Sequence, residues 1–344
     1  MLGFLSQNLF LLILFGIIAI AVLVYSSNVA VVKLTGLAGF FRISTTFMGV
    51  TVVSIATSIP EIVAHYTASF GILAGSLDYK VSSAVVLGAN IGSDVIQQTL
   101  IMAAVVLLAG GLRFRRYFLW KSMIPMIVTT IMCIILGIDG AFSRIDGLIL
   151  AGSFLAYMYY LYADERKHYK EEDHGFKENG ESPEGVPQTV KAAWQYGLVA
   201  MGALFFTIFS AMIALKITEV IVAKTGVGGS LIGVVTLGIA SALPEFITAI
   251  SGVRHGDGGI SLGTLVGSNI TNPLVAIGGG ALISTYWVPG PLVLWDLPWE
   301  TVTGAILWVI LWLNKGKLGK LAAYYLIALY FIYVSLRMIF FSVD

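Results

Sequence analysis

Long, nearly continuous runs of apolar residues fill most of the chain. A helix that crosses a membrane needs about 20 predominantly apolar residues. Strands of a membrane barrel would instead alternate apolar and polar positions, so the continuous runs predict helices. We predict about ten spans, at residues 8–25, 44–73, 80–109, 117–138, 145–163, 192–216, 229–253, 260–288, 302–314 and 321–341.

Composition leads to the same fold class. Of 344 residues, 58% are hydrophobic and 11% are charged, whereas a soluble domain carries about 25% charged residues. We therefore expect an all-α integral membrane protein in contact with a lipid bilayer. The net charge of +1 and the lack of a basic cluster indicate no nucleic-acid partner. Residues 1–10 contain no Lys or Arg, so we expect the first apolar run to remain as a span and not to be removed as a signal peptide.

One segment between the fifth and sixth spans, from Asp164 to Gln188, is rich in charge and contains two prolines. It predicts a solvated linker over residues 164–190 that joins two halves, 1–163 and 191–344. A regulatory ion-binding loop is the alternative, although its acidic residues lack the spacing of a calcium loop. If the N-terminus lies outside, the inside loops contain fifteen of the 20 Lys and Arg residues, as the positive-inside rule requires. We therefore expect a cell-membrane protein with both termini outside and a cytoplasmic linker.

The two halves contain the same pair of motifs in the same order. GVTVVSIATSIPE at residues 49–61 matches GVVTLGIASALPE at 233–245, and LGANIGS at 87–93 matches VGSNITN at 266–272. A duplicated unit of five spans makes an odd number of crossings, so its second copy inserts upside down. Secondary transporters use this plan and place the binding site at the midplane between the repeats. The sequence thus predicts two inverted five-helix repeats.

Three acidic residues are predicted to lie deep in the apolar spans: Glu61, Asp94 and Glu245. A carboxylate at the bilayer centre costs at least about 2.5 kcal/mol on insertion scales. No Lys or Arg is predicted at a comparable depth, so a structural ion pair does not explain them. Two carboxylates about 5 Å apart would repel each other by about 3 kcal/mol at an effective dielectric constant of 20. A bound cation, or protons, would relieve that repulsion.

A proline precedes each of the two matched glutamates. Pro60 and Pro244 lack an N–H and displace the carbonyl group four residues earlier, which frees backbone oxygen atoms near Thr57 and Ser241. An ordinary kink is the alternative, but a kink alone does not require glutamate next in both copies. Freed carbonyls, carboxylates and the hydroxyl groups of Thr57, Ser58 and Ser241 would form an all-oxygen site, which suits Ca²⁺ and Na⁺ better than Zn²⁺.

Four further polar residues are candidates. Asn90 and Asn269 occupy matched positions, and each follows two small residues that allow close helix contact. They either supply amide oxygen to the site or its waters, or only hydrogen-bond across that contact. Asp94, whose counterpart is Pro273, is a further cation ligand, a proton carrier or a hydrogen-bonded structural acid. His65 is a packing residue, a ligand or a proton relay.

The paired motifs resemble those of the cation/Ca²⁺ exchanger superfamily and are most similar to its sodium/calcium exchanger branch. Members carry two alpha repeats, each with a GTS-L-PE-like element followed by a GSN-IFN-like element; here these regions would be residues 49–99 and 233–277. Ala242 stands where the second repeat usually has a serine, so one expected hydroxyl ligand is absent from the sequence. The resemblance implies calcium carboxylates at Glu61 and Glu245, backbone carbonyl ligands at Thr57 and Ser241, and sodium or water positions lined by Ser58, Asn90 and Asn269.

The functional hypothesis is an antiporter that exchanges Ca²⁺ for Na⁺ by alternating access, because ions that relieve the same repulsion compete for one site. Exchange of Ca²⁺ or another divalent cation for H⁺, with Asp94 and His65 carrying protons, is the alternative. A cation channel fits less well with inverted repeats. An enzyme is not expected, because the sequence has no HExxH or paired-aspartate motif. We expect transported ions but no cofactor, and a functional monomer.

Overall fold

The computed structural model describes residues 9–40, 54–114, 119–172, 187–254 and 258–344. Within these residues the protein is mostly helical, and its strands are only two residues long. The helices are α1 (Leu9–Phe40), α2 (Ser54–Thr57), α3 (Ile59–Leu73), α4 (Tyr79–Leu108), α5 (Leu119–Gly137), α6 (Arg144–Glu172), α7 (Val190–Thr225), α8 (229–241), α9 (Leu243–Arg254), α10 (258–284), α11 (Leu292–Leu313) and α12 (Lys320–Phe340). The strands are β1 (Leu112–Arg113), β2 (Ala141–Phe142), β3 (Tyr286–Trp287) and β4 (Lys317–Leu318).

Eight candidate membrane spans, judged by length and composition, occur in the described part of the chain. They coincide with eight of the ten predicted spans. The second predicted span corresponds to α2 and α3 and begins outside the described residues, and the eighth corresponds to α10. The helical fold class is therefore confirmed, whereas the count of ten spans stays a prediction.

Four helices extend well beyond their predicted bounds. α1 continues to Phe40 and α7 to Thr225, past the predicted ends at residues 25 and 216. α11 begins at Leu292, well before the predicted start at residue 302, because the polar residues Asp296 and Glu300 are buried inside the protein and not exposed in a loop. α6 continues to Glu172, so the first part of the predicted linker is helical. Residues 173–186 of that linker lie outside the described residues.

Short strand pairs join the two halves. β1 pairs antiparallel with β4, and β2 pairs antiparallel with β3. By position in the duplicated unit, β1 corresponds to β3 and β2 corresponds to β4. β1 therefore pairs with the counterpart of β2, and β2 pairs with the counterpart of β1. A twofold axis between the copies would convert one strand pair into the other. This exchange of partners is the arrangement expected of an inverted duplication.

α4 lies at the centre of the protein, and every residue from Ser82 to Thr99 is buried. Its contact with α8 is a backbone contact. A Cβ atom added to Gly92 would lie 2.7 Å from the Cα of Val234, and Gly88 of the predicted small-residue pair leaves even less room. This close approach places the polar residues of α4 against the end of α8, where the second copy of the proline motif lies.

Candidate ion-binding site

Both predicted proline breaks are present. Ser58 separates α2 from α3 with φ −78° and ψ 6°, and Ala242 separates α8 from α9 with φ −74° and ψ −5°. These similar dihedral angles show that the two copies interrupt the helix in the same way. The prolines that follow have no N–H to donate, so the carbonyl groups of Ala56 and Ala240 lose their usual helical partners. Residues 49–53 of the first motif lie outside the described residues.

Glu61 and Glu245 lie in the first turn after each break, and their side chains are 3% and 0% exposed. Ser93 Oγ donates a hydrogen bond of 2.7 Å to Glu61 Oε1. Among the described residues, Glu61 Oε2 and both carboxylate oxygens of Glu245 have no hydrogen-bond partner. Buried acceptors without partners are costly, and Glu61 is the charged group that acts most strongly on Glu245. The pair therefore has the electrostatic character of a cation-binding site.

Hydroxyl groups from each repeat approach the carboxylate of the other repeat. Ser241 approaches Glu61, and Thr57 approaches Glu245. Ser58 Oγ is buried and has no hydrogen-bond partner in the part of the chain that the structure describes. The structure thus brings together Thr57, Ser241 and the two glutamates across the repeat interface.

A small cavity next to Glu61 has room for about one water-sized molecule. Glu61, Asn90 and Ser241 contribute the site's predicted oxygen ligands to its lining, and His65 also lines it. Asn90 Oδ1 has no hydrogen-bond partner among the residues described here, while Asn90 Nδ2 donates a long bond of 3.4 Å to the carbonyl oxygen of Asn272. The amide oxygen of Asn90 is therefore available as a ligand.

Asn269 lies at the contact between α10 and α4. Its Nδ2 donates to Gln97 Oε1 at 2.9 Å, and its Oδ1 accepts from Gln98 Nε2 at 2.8 Å. Both ends of this amide are thus engaged with the π-helical turn Gln97–Ile101 of α4. The ligand role of Asn269 stays a prediction.

A chain of hydrogen bonds that the sequence interpretation missed connects α10 with Glu61. Gln97 Oε1 accepts from Ser268 and Asn269, and Gln97 Nε2 donates 2.9 Å to Ser93 Oγ, which donates to Glu61. Gln97 lies at the start of a π-helical turn, a feature that often marks functional sites. A single sequence gives no signal for a π turn, so Gln97 could not have been found in that way.

Asp94 is buried on the same helix, with 1% of its side chain exposed. Its Oδ1 accepts a hydrogen bond of 2.7 Å from Asn272 Nδ2. Asn272 is the counterpart of Ser93 in the matched motifs, so two matched residues contact two different acids. The final position of LGANIGS and VGSNITN was the sequence signal that could have identified both.

The expectation that only three acidic residues lie deep is wrong. Asp296 and Glu300 of α11 are 0% and 2% exposed, and the late predicted start of this helix hid them. Arg337, in the last turn of α12, is also fully buried, and its Nε lies 2.9 Å from Asp296 Oδ2. This pairing is with Asp296, so the expectation that no Lys or Arg lies at the depth of Glu61, Asp94 and Glu245 stays a prediction. Tyr333 donates a further hydrogen bond of 2.7 Å to Asp296. Asp296 is thus a paired acid.

His65 is part of a packing network. Its Nδ1 lies 3.1 Å from the hydroxyl group of Tyr286, which donates 2.9 Å to the His65 carbonyl oxygen and lies 2.7 Å from Ser69 Oγ. His65 Nε2 has no hydrogen-bond partner within the described ranges. Packing against Tyr286 accounts for Nδ1 of the ring. Because His65 also lines the cavity, its role as a proton relay stays a prediction.

In the described part of the chain, no group of three or more His, Cys, Asp or Glu side chains is arranged to hold a metal ion. A cation site between the repeats would therefore depend on two carboxylates together with neutral oxygen atoms. Hard cations accept such a set, because carbonyl, amide and water oxygens complete their coordination.

Comparison with known proteins identifies relatives among ion exchangers. The model of the sodium/calcium exchanger protein family matches residues 11–163 and 194–339. The chain is 25% identical over 277 residues to the putative antiporter CaxA of Alkalimonas amylolytica, which covers 79% of this chain and 80% of that protein.

Two solved structures share the fold. The sodium-calcium exchanger NCX_Mj is 20% identical with a TM-score of 0.60, and the match covers 95% of this chain and 99% of that one. The H⁺/Ca²⁺ exchanger CAX is 14% identical with a TM-score of 0.72, and the match covers 95% and 86% of the two chains. The matched motifs, the helical membrane fold and the family model agree that this chain is a multi-pass membrane protein that belongs to the sodium/calcium exchanger family.

Proposed function

We propose that this protein is a secondary active antiporter that exchanges Ca²⁺ for Na⁺ at a site between Glu61 and Glu245. The observation that carries the proposal is the set of buried carboxylate oxygens of these glutamates that have no hydrogen-bond partner among the described residues. One divalent ion would neutralise both charges. Carbonyl, hydroxyl and amide oxygens nearby would supply the further ligands that Ca²⁺ requires.

Competition for the same charges would couple the two ions. When Ca²⁺ leaves, the repulsion between Glu61 and Glu245 returns, and several Na⁺ ions would then bind in its place. Each repeat contributes one broken helix to the site, so a movement of one repeat against the other would expose the site to alternate sides. Exchange follows if the protein changes between its inward-open and outward-open states only when bound ions neutralise the charges of the two glutamates.

Na⁺ is the preferred counter-ion because Ser58 and Asn90 offer buried neutral oxygen atoms without partners in the described residues. A metal cation needs several such ligands, whereas a proton needs one acceptor. Ca²⁺/H⁺ exchange is the second candidate, because His65 lines the cavity beside Glu61 and Asp94 is a further buried acid. The names of the relatives include both kinds of exchanger.

The same proposal includes the membrane arrangement. Apolar side chains on α1 and α7 are exposed, among them Phe10 at 72% and Phe205 at 65%, and these faces would contact lipid. We place both termini outside and the linker in the cytoplasm of a cell membrane, and we expect the monomer to be functional.

The direct test is uptake of ⁴⁵Ca²⁺ into proteoliposomes under one imposed gradient at a time. An outward Na⁺ gradient should drive uptake at constant pH, and Ca²⁺ on the trans side should accelerate release. Uptake driven only by a proton gradient would replace Na⁺ with H⁺ in the proposal. Conductance without trans-stimulation would identify a channel and would refute antiport.

A further inference from the structure

A second pair of buried carboxylates lies beside the first. Asp94 of α4 and Glu300 of α11 are 1% and 2% exposed. Glu300 is the charged group that acts most strongly on Asp94, and Glu61 acts on it more weakly. The buried Arg337 forms its ion pair with Asp296 and not with this second pair of acids. Asp94 and Glu300 thus act on each other electrostatically next to the proposed Ca²⁺ site.

Three helices meet around this pair. On α5, Thr130 donates a hydrogen bond of 2.9 Å to Glu300 Oε1, and Cys133 lies close enough to be influenced by both carboxylates. On α11, Gly304 lies one turn beyond Glu300, and a Cβ atom there would be 3.3 Å from Gln98 Oε1 of α4. Glu300 therefore faces the interior between α4 and α5.

Amide oxygens provide an independent indication of a ligand. Asn272 Nδ2 donates to Asp94, so the amide group of Asn272 lies next to that carboxylate. Asn272 Oδ1 is buried and has no hydrogen-bond partner within the ranges that the structure describes. The same is true of Gln98 Oε1, whereas Gln98 Nε2 donates to Asn269. Buried amides that use their donors and leave their oxygens free suit a cation, which binds oxygen.

We propose that Asp94, Glu300 and the amide oxygen of Asn272 form a second cation site, which takes the counter-ion Na⁺. The inference rests on the proposed antiport function and adds to it a site that the other copy of the motif lacks, since Pro273 replaces Asp94 there. Each carboxylate accepts one hydrogen bond, as Glu61 does, whereas neither oxygen of Glu245 has a partner among the described residues, so less positive charge is required at this pair than at Glu61 and Glu245 together. A monovalent alkali-metal ion meets this smaller requirement better than a second Ca²⁺.

The test separates the two sites by measuring two kinds of exchange in the same proteoliposomes. Glu300→Gln removes the charge but keeps an oxygen that can accept from Thr130. Na⁺-driven ⁴⁵Ca²⁺ uptake should fall by about tenfold or more, whereas ⁴⁵Ca²⁺/Ca²⁺ exchange without Na⁺ should stay within about twofold, because the first site is intact. Asp139→Asn is the matched control, since it makes the same chemical change at an exposed loop carboxylate and should alter neither rate.

Glu300→Asp provides a graded second variant, because it keeps the charge and shortens the side chain. It should raise the Na⁺ concentration for half-maximal exchange with little effect on Ca²⁺/Ca²⁺ exchange. Glu300→Gln with normal Na⁺-driven uptake would overturn the second site alone. Loss of both kinds of exchange in folded Glu300→Gln would also overturn it, because Glu300 would then belong to the Ca²⁺ site. Absence of Ca²⁺/Ca²⁺ exchange in the unaltered protein would refute the antiport function itself.

Discussion

The two copies of the proline–glutamate motif share a backbone conformation but differ in their polar side chains. Both interrupt the helix with nearly the same dihedral angles and place a buried glutamate in the next turn. In the first copy Ser93 donates to Glu61, whereas in the second copy neither oxygen of Glu245 has a hydrogen-bond partner among the described residues. The symmetric part suits a shared divalent ion, and the asymmetric part is where counter-ion preference would be set.

The difference continues along α4 and α10. Gln97 orients Ser93 and links it to the second repeat, while the matched Asn272 contacts Asp94. The first copy therefore holds its glutamate by a hydrogen bond, whereas Glu245 has the Thr57 hydroxyl group nearby but no hydrogen-bond partner among the described residues. We expect Glu245 to change position more than Glu61 during exchange.

The largest expected effect comes from removing either charge of the symmetric pair. Glu61→Gln and Glu245→Gln should each reduce Ca²⁺/Ca²⁺ exchange by about a hundredfold or more. The single carboxylate that remains would neutralise only one of the two positive charges of Ca²⁺. The flux of ⁴⁵Ca²⁺ in proteoliposomes measures this. If one variant kept near-normal flux, the two copies would not be equal contributors and the site assignment would be wrong.

A smaller effect is expected from the hydrogen bond that only the first copy has. Ser93→Ala should weaken apparent Ca²⁺ affinity about three- to tenfold, because Glu61 loses the donor that orients it. Ser83→Ala is the control on the same helix, since Ser83 Oγ is buried and has no hydrogen-bond partner in the described part of the chain. Equal affinities for the two variants would show that Ser93 does not position Glu61.

The Ser58/Ala242 difference should affect Na⁺ more than Ca²⁺. Ser58→Ala should raise the Na⁺ concentration for half-maximal exchange about fivefold, because a neutral hydroxyl ligand contributes about 1 kcal/mol. Ala242→Ser restores the hydroxyl in the second copy and should shift the same quantity in the opposite direction. Dose–response curves for Na⁺ measure both variants. Shifts in the same direction would exclude paired hydroxyl ligands.

The smallest effect on transport is expected at the network around His65. Tyr286→Phe removes the hydroxyl group that contacts His65 and Ser69, and it should lower the free energy of unfolding by about 1–2 kcal/mol. Apparent Ca²⁺ affinity should stay within about twofold, because Tyr286 does not contact the glutamates through these bonds. Thermal unfolding and ⁴⁵Ca²⁺ exchange provide the two readouts. A tenfold loss of affinity with unchanged stability would make His65 part of the ion site.

The duplicated motif made much of this arrangement predictable. Pro60 and Pro244 identified both helix breaks because proline cannot donate a backbone hydrogen bond, and the adjacent glutamates had no other explanation in an apolar helix. The helical fold class followed from apolar runs long enough to span a membrane. These features depend on local sequence, so the amino-acid sequence of this one protein was sufficient to predict them.

Contacts between distant helices were not predictable in the same way. Glu300 appeared to flank a short ninth span because hydropathy averages over the segment around Asp296 and cannot show that the protein, and not water, surrounds it. The pairing of Arg337 with Asp296 joins two helices and was hidden for the same reason. Gln97 depends on a π turn and on a partner in the other half, Asn269. Such residues become visible only when tertiary packing is known.

The most direct measurement is equilibrium binding of Ca²⁺ to the purified protein and to Glu61→Gln, Glu245→Gln and Asp139→Asn. The unaltered protein and the Asp139→Asn control should bind Ca²⁺ saturably, and each glutamate variant should lose saturable binding, because both carboxylates are needed to hold one ion. Retention of saturable Ca²⁺ binding with affinity within about tenfold in either glutamate variant would contradict a shared site at the repeat interface.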